Sequence, residues 1–291
     1  MIAESQSWRD WLAGGRRVRL GVPSGDHELF CRRDGAAGLP SVTLLHGFPT
    51  SSWDWAPIWP TLAARTQPLA FDFLGFGDSD KPAGHDYSIH EQADLCEAVW
   101  RHHEVRETHV VAHDYAVSVA QELLARHAEG RLTTKLLSLT LLNGGLWPDL
   151  HRPLLVQQLL RNRVVGPLVT RLVSQRLMVK SLRSVLGPHA PPDEELAAHW
   201  ETITRRGGHR LYHRLIRYMD DRLQHQRRWV GALESTTVPL GFVWGMLDPI
   251  SGAHVAKRIA ERLPHARRLF LDDVGHYPQL EAPERVLAAL P

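Results

Sequence analysis

Four short segments of this 291-residue chain hold residue types that could do chemistry together. Ala112-His113-Asp114-Tyr115-Ala116 sets a carboxylate between small residues. This is the form small-x-nucleophile-x-small, a variant of the strand-to-helix elbow usually written G-x-S-x-G, whose small flanks permit a strained turn. His46-Gly47-Phe48-Pro49 is a tight turn that can aim the Phe48 backbone N–H at the same point. With the N–H of Tyr115, it would make an oxyanion hole. Gly245-Met246-Leu247-Asp248-Pro249 offers an acid, and Val274-Gly275-His276-Tyr277-Pro278 a histidine. The expected roles are Asp114 as nucleophile, His276 as base and Asp248 as the group that orients it. Singly, each has an ordinary explanation: an Asp before a helix is an N-cap, an Asp-Pro pair is a turn, and most of 18 histidines are structural or on the surface. Their order, each after an expected strand, carries the joint reading.

A carboxylate nucleophile narrows the reaction. Asp114 is already ionised at neutral pH and needs no base. It suits displacement at a saturated carbon, which leaves an ester on the enzyme. His276 would then deprotonate a water that attacks the ester carbonyl.

These loops need a frame that brings them together. Apolar runs at 42–46, 69–73, 108–112, 136–142 and 239–244 read as buried strands, with helices at 89–103, 115–129 and 253–263 between them. Such alternation predicts an α/β fold: a mostly parallel sheet with helices on both faces. Residues 16–22 and 27–32 predict an antiparallel hairpin, 268–272 a last strand and 279–290 a closing helix. In an open parallel sheet, the loops after the carboxyl ends of the strands share one crevice. From 147 to 232 no strand is legible, and Pro191-Pro192-Asp193-Glu194-Glu195 reads as a helix start. The expected organisation is a core of residues 1–146 and 233–291 with a helical cap over 147–232.

The formal charge is +2, but residues 147–232 carry +8 and the remainder −6. The cap arginines lie among helix-spaced leucines and read as solvated faces, so no nucleic-acid partner is expected. Cys31 and Cys96 have no metal-like spacing and read as buried thiols. No apolar run approaches the roughly 18 residues of a membrane span, and no signal peptide is legible. The expectation is a cytoplasmic protein, a monomer or homodimer, with no membrane partner, metal or organic cofactor. Ten tryptophans suit an aromatic core or pocket.

HGFPTSSWDW (46–55), DFLGFGDSDKP (72–82), YSIHEQA (87–93), HDY (113–115), HRPLL (151–155), RRWVGAL (227–233) and GHYPQLEAPE (275–284) carry a family likeness. The chain resembles α/β hydrolases of the epoxide hydrolase and haloalkane dehalogenase group. More closely, it resembles the mesoderm-specific transcript proteins. The resemblance implies an α/β-hydrolase fold with an inserted helical cap and offers two leaving groups, halide or epoxide oxygen. Dehalogenases of this kind hold halide with a Trp after the nucleophile and a second Trp or an Asn; here those two core positions are Tyr115 and Phe48. Epoxide hydrolases protonate the opening oxygen with cap tyrosines. Tyr218 stands where the second of these usually lies, and residues 146–160 contain no match for the first. Tyr212 or His151 could substitute, with Trp147 and Trp53 shaping an apolar pocket. The favoured expectation is hydrolysis of a small apolar epoxide, with Tyr218 as acid. Haloalkane dehalogenation is the alternative, ester hydrolysis a third, and a ligand receptor or scaffold on the same fold the non-enzymatic reading.

Overall fold

The computed structural model describes residues 7–290. Eight strands form one sheet: β1 (Arg16–Val22), β2 (Gly25–Arg33), β3 (Ser41–Leu45), β4 (Gln67–Phe71), β5 (Glu107–His113), β6 (Lys135–Leu142), β7 (Leu240–Gly245) and β8 (Arg267–Leu271). Their order is β1-β2-β4-β3-β5-β6-β7-β8. The β1–β2 and β2–β4 pairings are antiparallel and the others parallel. The central strands are apolar on both sides because both faces are covered. The pleat sends Val42 and Leu44 to one buried cluster and Leu45 to the other; Val111 and Ala112 divide in the same way.

Register decides which loops meet. Leu45 of β3 pairs with Ala112 of β5, so the turn at 46–48 emerges beside Asp114. His113 pairs with Leu142, which itself pairs with Val243, so Asn143 leaves the sheet between Asp114 and the end of β7.

Between β6 and β7 the chain is helical, with no strand among the described residues. This inserted region sits over the carboxyl ends of the strands and is tied down at several points. Arg205 pairs with Asp78 at 2.7 Å and Arg206 with Asp80 at 3.0 Å. His276 N–H donates to the Val185 carbonyl (2.9 Å) and Gly187 N–H to the Glu281 carboxylate (2.6 Å). Helix Gln226–Ser235 lies along helix Tyr115–Ala128, where the buried Glu122 carboxylate accepts from Trp229 Nε1 (2.7 Å), Arg126 Nε (2.8 Å) and Arg228.

Two elements differ from the sequence expectation. The closing helix is two short helices, Pro278–Glu281 and Pro283–Ala289, because Pro283 has no N–H to continue the first and instead starts the second. A helix at Trp8–Ala13, not foreseen, is capped by Ser7 and buries Trp11 edge-on to Trp59 at 4.8 Å. Most of the tryptophans are packing residues: Trp11, Trp55, Trp59, Trp100, Trp229 and Trp244 are fully buried side chains. Cys31 and Cys96 are buried and unpaired. No helix of the described residues is long and apolar enough to cross a membrane.

Candidate active site

Asp114 links β5 to helix Tyr115–Ala128 with φ 47° and ψ −103°, a backbone conformation that non-glycine residues rarely adopt. Three contacts hold it there. Asp114 N–H donates to the Asn143 carbonyl at 2.9 Å, and Arg222 Nη2 donates to the Asp114 carbonyl at 3.1 Å. Phe48 N–H donates to Asp114 Oδ2 at 3.0 Å. Gly47 permits that approach: a Cβ there would lie 2.8 Å from His113 Nδ1 and 3.0 Å from Asp114 Cβ.

The second carboxylate oxygen, Oδ1, faces His276 Nε2 at 3.6 Å, beyond hydrogen-bond range but close enough for charge attraction. His276 Nδ1 donates to Asp248 Oδ2 at 2.7 Å, which fixes the ring. Asp248 is itself fully engaged. Its Oδ2 accepts from Ser251 Oγ (2.6 Å) and Asn143 Nδ2 (3.0 Å), and its Oδ1 accepts from Ile250 N–H (2.7 Å).

All three side chains are buried. Burial alone would strip His276 of its proton, but the Asp248 and Asp114 carboxylates on either side outweigh it and raise its pKa above the usual range. Burial would likewise protonate the two acids. His276 and Arg222 reverse that for Asp114 and hold it well below the ordinary carboxylate range; His276, Ser251 and the Ile250 amide bring Asp248 down to about 2. The resting arrangement is therefore an imidazolium between two carboxylates.

Asp114 and His276 open into a cavity of about 680 Å³. Phe48, Tyr212 and Tyr277 line it near the charged groups, and aliphatic side chains of the inserted region, such as Leu154, Val169 and Met178, line the rest. Such a space accepts an apolar molecule and exposes it to one carboxylate.

A family model described as the alpha/beta hydrolase fold matches residues 40–283. The chain belongs to the α/β-hydrolase family. This hydrolase is 45% identical over 266 residues to the human mesoderm-specific transcript homolog protein, covering 88% of this chain and 79% of that one. It is 39% identical over 281 residues to LipZ of Mycobacterium tuberculosis, covering 96% and 95%. Among solved structures, a haloalkane dehalogenase loop variant from Bradyrhizobium elkanii superposes with a TM-score of 0.78 at 22% identity, covering 94% and 93%; at that identity the likeness concerns the fold.

The hydrolase brings Asp114, Asp248, His276 and Phe48 together, and it places the remaining expected residues unevenly. Tyr115 stands at the start of its helix, where an amide has no intrahelical partner, and its N–H makes no hydrogen bond to the Asp114 carboxylate in this arrangement. Tyr218 lies behind Phe48 and Tyr115, with ring centroids 6.4 and 4.9 Å away, and is not among the described residues that line the cavity. Tyr212 is, with its ring 5.2 Å from Phe48. The hydroxyls of both tyrosines are buried without a hydrogen-bond partner among the described residues. His151 also has both ring nitrogens buried and unpartnered, and burial lowers its pKa to about 4, which leaves it neutral. Trp147 and Trp53 do not line the cavity. The Trp147 N–H finds its acceptor in Glu234 at 3.1 Å, and the Trp53 ring packs on His199 at 4.5 Å; these partners hold both rings in packing positions.

Three residues of the site escaped sequence reasoning. Arg222 is a buried cation whose Nε donates to Ser118 Oγ at 2.6 Å, and whose guanidinium carbon lies 4.5 Å from the Tyr218 ring centre. Gly145 leaves room for it, since a Cβ there would collide with Nη1. Its position four residues after Tyr218, hence on the same helix face, was the available signal. Asn143 ties the end of β7 to Asp248: Gly245 N–H donates to its Oδ1 at 2.6 Å. His113 bonds the His276 carbonyl through Nε2 (2.8 Å) and accepts from Gln279 at Nδ1 (3.1 Å), and burial keeps it neutral by lowering its pKa to about 3.

Apart from this site, His27, His85 and Glu91 bring ligand-type atoms within 4.8 Å of one another. His85 Nε2 lies 2.7 and 2.6 Å from the two Glu91 oxygens, so the cluster is bonded within itself and ties the 85–91 segment together beside β2.

Proposed function

We propose that this α/β hydrolase opens epoxides to vicinal diols through an ester on Asp114. The observation that carries the reading is the content of one cavity: a buried carboxylate, Asp114, and an unpartnered phenol, Tyr212, line the same apolar space. Asp114 Oδ1 attacks a ring carbon, the C–O bond breaks, and the electron pair goes to the departing oxygen. That oxygen needs a proton donor. Burial raises the Tyr212 phenol well above its usual pKa, so it is protonated throughout the neutral range. Tyr212, rather than Tyr218, is the acid in this reading, because Tyr212 lines the cavity.

The ester has no charge on Asp114. His276 then keeps only one of the two carboxylates that held its proton, its pKa falls, and the proton passes by way of Tyr212 to the diol oxygen. Neutral His276, still oriented by Asp248, takes a proton from water as that water attacks the Asp114 carbonyl carbon. The charge formed on Oδ2 rests on Phe48 N–H and Tyr115 N–H. Collapse of that intermediate breaks the bond between the Asp114 carbonyl carbon and the oxygen joined to the diol, and this oxygen takes the remaining proton of the added water as the diol leaves, so Asp114 is again a carboxylate and His276 an imidazolium.

Haloalkane dehalogenation is the second reading, favoured by the carboxylate nucleophile alone. Among the described residues, no indole or asparagine amide lines the cavity, so a halide would lack its usual N–H donors. Styrene oxide and a bromoalkane separate the readings. Wild-type protein should form diol and release no bromide. The His276→Gln variant should accumulate one substrate mass on the peptide containing Asp114. Bromide without diol would install the second reading, an adduct on another residue would remove Asp114 as nucleophile, and no product from either compound would leave the receptor reading.

A further inference from the structure

The inserted region has an apolar rim that the rest of the described surface lacks. Among the described residues, eight of the nine large hydrophobic side chains that are exposed belong to it, and seven of those lie between residues 155 and 177. Leu155 is 70% exposed, Val164 79% and Leu172 73%. Leu155, Leu159, Leu172 and Leu177 both face solvent and line the cavity above Asp114, so they form its mouth. Val164, Val165 and Leu168 continue the rim through the start of helix Gly166–Leu172. A contiguous patch of this kind marks an interaction surface.

The charge around the rim selects the partner. Between residues 150 and 192 the sequence has seven Lys or Arg and no Asp or Glu. Arg161 and Arg183 are neutralised by Asp220 and Asp193. Arg163, Arg171, Arg176 and Lys180 are exposed and have no ion-pair partner among the described residues. Exposed aliphatic side chains interleaved with uncompensated cations match the boundary of an anionic bilayer, where acyl chains receive the former and headgroup phosphates the latter. We propose that residues 155–180 dock the protein on an anionic lipid surface, with the cavity mouth against the lipid, so that apolar substrate enters from the bilayer. The expectation of no membrane partner rested on the lack of a long apolar run, which an interfacial patch does not require. Docking is read without turnover, so it stands or falls separately from the chemistry of Asp114.

Vesicle flotation tests it. The full chain should float with phosphatidylcholine vesicles containing about one-third phosphatidylglycerol, and binding should fall about tenfold or more at roughly 0.5 M NaCl. Two variants avoid the cavity lining: Val164→Asp/Leu168→Asp and Arg163→Glu/Arg171→Glu/Arg176→Glu. Each should keep the wild-type circular dichroism melt and lose at least about tenfold in vesicle binding, since each basic side chain near such a surface contributes roughly a fivefold factor. Absence of wild-type binding at low salt, or charge-reversed protein that floats as well as wild type, overturns the proposal. So does a wild-type dimer that Val164→Asp/Leu168→Asp dissociates while vesicles bind neither protein, because a second copy would then be the occupant.

Discussion

The proton on His276 is held first by Asp248 and also by Asp114, and this makes one residue's chemistry readable at another. In Asp114→Asn the imidazolium loses one of its two neighbouring charges while Asp248 keeps the ring in place. Removing a carboxylate disfavours the protonated form, so the His276 pKa should drop, by about one to three pH units for a buried pair. Histidine ring NMR shifts followed against pH would measure it; an unchanged titration would show that Asp114 does not govern His276. The meeting of Asp114, Asp248 and His276 was legible in the sequence because each lies in a short local motif after a strand. Arg222 and Asn143 were not, because their importance arises from register and packing. Nothing adjacent in sequence says that residue 143 emerges between β5 and β7, or that a cap arginine reaches the Asp114 carbonyl. The tyrosine assignment shows the same limit. The family resemblance points to Tyr218, with Tyr212 as a substitute, and only packing decides that Tyr212 lines the cavity while Tyr218 lies behind Phe48.

At the level of elements, the inserted region is fastened where helix Gln226–Ser235 meets helix Tyr115–Ala128. Glu122 is the hub, with Arg126, Arg228 and Trp229 donating to one buried carboxylate. Burial opposes its ionisation, but His90, Arg228 and Arg126 hold its pKa well below the ordinary glutamate range. A depressed carboxylate contributes stability that is complete above its unfolded pKa, about 4.3, and is lost as pH falls towards the folded value. Glu122→Gln should therefore lower the melting temperature at pH 7 and flatten its decline between about pH 4.5 and 3. Removal of one partner from a buried ionic group typically costs about 3–5 kcal/mol. Thermal melts across that pH range would check it, and a variant whose acid limb parallels wild type would dismiss Glu122 as the hub. The strands were legible from apolar runs, with ends that shift by one or two residues. The Trp8–Ala13 helix is hidden in the sequence because six residues are too short to show a helical period, and the last helix reads as continuous because Pro283 is as compatible with the first turn of a new helix as with a loop.

Over the whole molecule, packing is uneven. β3, β5 and β6 are covered on both faces, so their amides should exchange hydrogen only through global opening. Residues 155–177 form one- and two-turn helices with exposed leucines and valines, and should exchange through local opening at far lower cost. Hydrogen-exchange mass spectrometry should show the two regions separated by orders of magnitude in rate, and uniform protection would contradict it. The organisation of core and inserted region was legible because the strand rhythm stops at residue 147 and resumes near 239. The charge division has a consequence for behaviour in solution. With +8 on residues 147–232 and −6 on the rest, the molecule has two electrical poles even at its isoelectric point. The positive pole of one copy attracts the negative pole of the next, and the rotation between copies decides whether such head-to-tail contacts close into a ring or run on. At low ionic strength copies should therefore associate, and added electrolyte should raise the solubility by screening the poles.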